Sequence, residues 1–234
     1  MKIYNFLGLV ISFILAFVSF FATSNIFVGA GVLIACITFY FIFIYKKLTN
    51  HLSVLKKVHE CYLFSNNFLV TLSIKQTLNA SFEAVRTSVS DEFFEYLQSI
   101  DELNPQEKLL YLNKYFPFHS FQIFVEVILL WIEEGGDILQ MSSHVINAIR
   151  EMQEYASYCQ SIDKRKGFEI ATLWFFSLII VIVLKFSLTG SYAEMLKQPI
   201  FIASVIGLVL LVLFSIYLFI LKVTTLDIRR YENE

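Results

Sequence analysis

Charge is scarce in this 234-residue chain: Asp, Glu, Lys and Arg make up only 16%, against roughly 25% in soluble domains. The formal net charge is −2, so nothing points to nucleic acid as a partner. Cysteine is equally sparse. Cys36, Cys61 and Cys159 are the three, and none stands in CxxC spacing, which argues against a disulfide framework or a zinc site. No Walker A, GxGxxG, HExxH or GxSxG motif occurs. The four histidines, His51, His59, His119 and His144, show no ligand spacing, and no nucleophile–base pair can be argued from spacing. The chain therefore reads as a non-enzyme without a cofactor. No alternating strand pattern of useful length appears, so the expected fold is all-α.

What the chain has instead is apolar length. Hydrophobic residues are 57% of the total, with 25 phenylalanines, and the mean hydropathy is +0.65. Four runs stand out: Ile3 to Ala22, Ile26 to Tyr45, Phe168 to Leu188 and Pro199 to Leu221. About 20 apolar residues span a bilayer as helix, so each run is long enough to cross. The first run is read as half of a retained hairpin, because it exceeds a signal-peptide core and a second span follows at once. Between the pairs, Lys46 to Lys166 holds 12 of the 18 basic and 15 of the 20 acidic residues. The expected domains are a transmembrane hairpin (1–45), a cytoplasmic helical domain (46–166), a second hairpin (167–221) and a tail (222–234). Lys46, Lys47, Lys164, Arg165, Lys166, Lys222, Arg229 and Arg230 flank the spans on one side, with only Lys185 and Lys197 towards the other. Positive-inside counting places the domain and both termini in the cytoplasm, with membrane lipid around the spans.

Helix punctuation divides the central block into an antiparallel bundle of about six helices, near 51–71, 73–87, 90–101, 104–116, 118–134 and 137–166. Ser73 with Gln76 reads as a capping box, and Asn104 with Glu107 as a second, with Pro105 at the first helical position. Ser90 ahead of Asp91 and Glu92 marks a third start. The helix from 118 to 134 is apolar on nearly all faces, with Gln122 and Glu126 its only polar strip, and is expected to lie buried at the centre. The last helix opens at Asp137 and is expected to run on into the third span. It carries a heptad seam of Ile138, Met141, Val145, Ala148, Met152, Tyr155, Cys159 and Ile162, suited to packing against another helix in the bundle or across an oligomer. From Glu83 to Asp163 there are 14 acidic residues and four basic ones, a balance that fits a basic protein partner.

One segment is locally odd. Glu133 and Glu134 close a helix at its C-terminus, where the dipole disfavours anions by about 0.3–1 kcal/mol. Gly135 and Gly136 then make the turn, and Asp137 opens the next helix. The corner reads either as a polar turn or as three acids converging on a cation or a basic partner, and whether a metal binds there is left open. At these residues the chain resembles the type II secretion system F domain: a buried helix, Glu-Glu-Gly-Gly-Asp-Ile-Leu from 133 to 139, then a long helix with Arg150 and a charged stretch from Asp163 to Lys166 entering a span. Two spans, one such domain and two spans is similar to the TadB/TadC-type proteins of Flp (Tad) pilus machinery.

The resemblance implies a non-enzymatic platform protein of the cell (inner) membrane. It would couple a cytoplasmic secretion ATPase to pilin-like membrane subunits. It also implies pairing with a second copy or a paralogue, since larger relatives carry the domain twice. Two other classes compete. A small-molecule permease would need ionisable or broken-helix positions at mid-span, whereas Lys185 and Glu169 lie near span ends and can snorkel. A membrane sensor would have to recognise its ligand with an external loop of about ten residues.

Overall fold

A computed structural model describes residues 2–187, 189–196 and 198–224, with side chains from Gly8 onward except at 189, 190 and 193. Lys197, Arg229, Arg230 and most of the expected 222–234 tail lie outside the described residues. Those described are helical, with no strand among them. In order they form α1 (Lys2–Thr23), α2 (Ile26–Phe39), a π-helical stretch (Tyr40–Tyr45), α3 (Lys46–Lys75), α4 (Leu78–Arg86) and α5 (Asp91–Ser99). There follow α6 (Pro105–Tyr115), α7 (His119–Glu134), α8 (Ile138–Ser187), α9 (Thr189–Met195) and α10 (Pro199–Thr224). Two compact units result. One takes residues up to His51 and from Ser161 through α10, and the other takes Leu52–Gln160.

The punctuation holds at three starts and fails at one. Ser90 caps α5 by accepting from the Phe93 amide. The Asn104 amide donates to Glu107 Oε2 at 3.3 Å within a capping box that has Pro105 at its first position. Asp137 Oδ1 accepts from the Leu139 amide at 2.9 Å. Ser73, in contrast, starts nothing. Its hydroxyl donates back to the Val70 carbonyl at 2.8 Å, and α3 continues to Lys75. Gln76 ends the helix with a positive φ of 52°, its amide bonded to the Leu72 carbonyl at 2.8 Å, as in an αL cap. The expected break near residue 50 is also absent, because the helix that begins at Ile26 runs without interruption to Lys75.

In the unit Leu52–Gln160 the core is built on one face of α3, where Val58, Cys61, Phe64, Phe68 and Leu72 are fully buried. Phe64 is its hub. Its ring lies 5.3–6.3 Å from those of Phe68, Phe82, Phe93, Phe116 and Phe121, within the range of favourable aromatic pairing. One side chain thus ties α3 to α4, α5, the α6–α7 junction and α7. α7, expected to lie buried at the centre of the bundle, is buried on one face only. It buries Phe121, Phe124, Val125 and Ile128, while Gln122, Glu126, Leu130, Glu133 and Glu134 stay exposed as a strip. Its apolar residues on the flanks are partly buried against the same core.

Three helical stretches, lying wholly or in part in the other unit, are long and apolar enough to cross a bilayer: 26–75, 138–187 and 199–224. α1 contributes a shorter apolar helix, Gly8–Thr23. It packs closely on α2, and glycine is what permits the contact: a Cβ at Gly29 would stand 2.8 Å from the Phe20 Cβ, and one at Gly8 would stand 2.6 Å from the Tyr40 ring. Small residues at such crossings let helix backbones approach. The expected loop from Thr189 to Gln198 contains a short helix, α9. Lys185 does not simply reach for the interface. It donates to the Phe21 carbonyl and, at 3.1 Å, to the Ser24 hydroxyl, while the Tyr192 hydroxyl donates to the Ala22 carbonyl. Two of the terminal carbonyls of α1, which have no partner within the helix, are thereby satisfied.

Truncating the hub tests the α3-centred core. Phe64→Ala should destabilise the Leu52–Gln160 unit by about 3–5 kcal/mol, read as an earlier urea transition of the full-length protein followed through Trp131 fluorescence.

Candidate functional site

The acidic corner is a rigid turn. α7 ends at Gly135, φ 75°, and Gly136 follows at φ 107°, conformations that favour glycine. The Gly135 amide closes back on the Trp131 carbonyl at 2.9 Å, and Trp131 Nε1 donates to the Gly136 carbonyl at 3.0 Å. Trp131 is therefore the brace of the turn. Asp137 spends its carboxylate on the α8 N-terminus, accepting from Leu139 and, at 3.4 Å, from Gln140. Glu133 and Glu134 are exposed and form no ion pair among the described residues. Two acids face solvent, and the third is committed to the fold.

Apolar surface flanks these acids. Leu130 is 43% and Leu139 48% exposed, one ahead of the turn and one after it. With Gln122 and Glu126, the exposed strip of α7 leads into the corner and presents carboxylates beside leucines. That mixture suits a protein partner with basic and apolar side chains. No group of three His, Cys, Asp or Glu side chains that could hold a metal is found among the described residues.

The long helix after the turn buries a different seam from the one expected. Ile138, Val145, Met152 and Cys159 are buried, but the alternate layer is Ser142, Ile149 and Ala156. Met141 and Tyr155 are half-buried, and Ala148 and Ile162 are exposed. Both layers lie close to one stripe of the helix, differing by one residue. Serine is not counted as apolar, yet Ser142 satisfies its own hydroxyl on the Ile138 carbonyl at 2.6 Å. Small residues at 142 and 156 also allow close packing around Ile149.

A polar cluster that the motif search missed lies inside the bundle. Glu60 on α3 is 4% exposed. It accepts hydrogen bonds from the Ser90 hydroxyl and, at 2.9 Å, from the Tyr115 hydroxyl, and Lys56 Nζ stands 3.7 Å away. Lys56 itself pairs with Glu92 at 2.6 Å, and Lys57 sits over the Tyr115 ring at 4.9 Å. The carboxylate thus pins α3 to the start of α5 and the end of α6. Burial pushes the Tyr115 hydroxyl well above its ordinary range, and its bond to Glu60 pushes it further. A signal existed in the sequence: Glu60, Phe64 and Phe68 recur at intervals of four, which puts a charge on the core stripe. At the surface, Arg86 and Lys108 hold the Asp101 carboxyl down to about 2, the arginine bond being the larger cause.

Comparison with known proteins adds no relative: the chain matches no protein-family model, no curated protein and no solved structure.

The Tyr115–Glu60 bond carries a pH signature. Tyr115 stays protonated in the folded state where an unfolded tyrosine ionises, so its contribution is complete below about pH 10 and is lost as pH rises beyond. Tyr115→Phe should flatten the alkaline fall in stability above about pH 10, measured as urea midpoints of the full-length protein at each pH. An unchanged alkaline slope would remove Tyr115 from that role.

Proposed function

We propose that this chain is a non-enzymatic platform subunit of a secretion or pilus-like machine. Four helices cross the cell membrane, the Leu52–Gln160 bundle and both termini face the cytoplasm, and the bundle receives a cytoplasmic ATPase. The single observation that carries this reading is the braced acidic corner. Glu133 and Glu134 are held exposed between Leu130 and Leu139 on a turn fixed by two glycines and Trp131. A rigid carboxylate-and-leucine surface costs little to order on binding, and carboxylates without partners in the chain are available to basic side chains. Its resemblance to the F-domain turn suggests the ATPase as that partner, and the apolar helices supply faces for pilin-like subunits, a second copy or a paralogue. The orientation rests on the basic residues that flank the spans.

The test separates charge from fold. Glu133→Gln with Glu134→Gln keeps side-chain size and removes both charges from a helix C-terminus, which should leave stability unchanged or raise it by about 0.3–1 kcal/mol. The double variant should reach normal abundance yet lose co-purification with a secretion ATPase and fail in assembly. Normal co-purification would leave the corner as a turn without a partner.

A further inference from the structure

Between α1, α8 and α10 lies a cavity of about 180 Å³, all of it within one compact unit. An apolar protein cavity of about 150 Å³ stays dry and admits a small hydrocarbon, so this one has room for a guest. Two of its walls are firm: Leu15 and Val18 on α1 and Val209 on α10 are 2%, 8% and 5% exposed. The third wall is thin. Leu178, Val181 and Leu184 come from α8, where no residue from Gly167 to Ser187 is buried, and Leu184 is 48% exposed. The way in therefore lies on the α8 side.

Three lining residues are polar, and each has already committed its hydroxyl proton. Ser19 donates to the Leu15 carbonyl at 2.7 Å, Ser204 to the Ile200 carbonyl at 2.9 Å, and Tyr192 to the Ala22 carbonyl. No charged side chain lines the cavity among the described residues. A water inside would find no donor, and a charged or strongly polar ligand would find no partner. At the end next to α9, Tyr192 packs edge-on against Phe201 at 5.3 Å between ring centres, and Lys185 ties α8 to the end of α1. Leu15 and Ser19 stand four to eight residues before Thr23, about 6–12 Å along α1. That depth falls within one half of a hydrocarbon core about 30 Å thick.

We propose that this cavity holds the middle of an acyl chain from an outer-leaflet lipid, which enters beside α8. The proposal rests on the reading that α1, α8 and α10 span the membrane. The lining selects hydrocarbon and excludes a headgroup, the closed α9 end bars entry from water, and the thin α8 wall opens to the bilayer. An empty cavity leaves its lining without contacts on one side. A seated chain supplies them, and it holds α8 against α1 and α10 where the protein's own packing does not.

A photoreactive lipid tests the site. The full-length protein is reconstituted in phosphatidylcholine bilayers with a minor fraction of phosphatidylcholine carrying a diazirine midway along one acyl chain. After illumination, the labelled residues are mapped by peptide mass spectrometry. Leu15, Val18 and Val209 should be labelled although they are buried, together with the outward-facing Phe17 and Leu210, which are 63% and 59% exposed. Val205→Phe, which fills the cavity, should abolish labelling of the three buried residues and leave Phe17 and Leu210 labelled. Val205→Ala, which enlarges it, should keep all five labelled and guards against misfolding of the larger variant. If Phe17 and Leu210 are labelled but the buried three are not, the cavity is empty or filled by protein, and the lipid site is overturned while the spans stand. Labelling of the buried three that survives Val205→Phe also overturns it. Absence of label at all five overturns the site together with the membrane reading beneath it.

Discussion

The Phe64 side chain is the contact on which the Leu52–Gln160 unit depends. Its ring meets five others, and those five arrive from both sides of nearly every turn in the bundle. Apolar burial is roughly proportional to area and has no direction of its own. The Glu60 cluster supplies direction, since a carboxylate bonded to Ser90 and Tyr115 tolerates only one placement of α5 and α6 against α3. A buried charge of this kind is a poor source of net stability but a strong penalty on alternatives. Aromatic mass and one oriented polar cluster together fix α7 by its Phe121–Phe124 face, which leaves the opposite strip and the acidic corner turned outward.

A different solvent sets the rules in the other unit. Its helices expose large apolar side chains such as Phe13, Phe17, Phe168 and Phe186, and in a bilayer every backbone polar group must find a partner inside the protein. The hydroxyls of Ser12, Ser19 and Thr23 bond back to carbonyls four residues earlier. Lys185 and Tyr192 close the end of α1. The π-helical stretch at Tyr40–Tyr45 departs from regular helix, and it coincides with the place where the Tyr40 ring fills the space left by Gly8. Such stretches mark positions where a side chain is re-aimed at some cost in backbone geometry.

Much of this was legible in the residues. The apolar runs and the starts at Ser90, Asn104 and Asp137 follow from local chemistry, so sequence sufficed. Ser73 misled because the same hydroxyl that caps a helix can bond back within one, and only the left-handed Gln76 marks where α3 stops. The heptad of α8 was half right: residues seven apart are common to both seams, whereas the choice between Met141 and Ser142 depends on how closely the facing helix comes. Glu60 was overlooked because carboxylates were sought in motifs and not on an apolar stripe. Lys185 read as a snorkelling cation because nothing local reveals that the end of α1, more than 160 positions earlier, is its partner. At the corner, the glycines and Asp137 were legible as a turn, but the Trp131 brace spans five residues and needs the turn itself to form.

The central proposal is that the Leu52–Gln160 bundle and the short α9 segment face opposite sides of a membrane. Single cysteines introduced at exposed Ser99 and Ser191, in intact cells treated with a membrane-impermeant maleimide, test it most directly. The native cysteines Cys36, Cys61 and Cys159 are buried and should contribute little background. The account predicts that Ser191→Cys is labelled from outside, and that Ser99→Cys is labelled only after the membrane is permeabilised. Labelling of Ser99→Cys in intact cells, with Ser191→Cys protected, would contradict it.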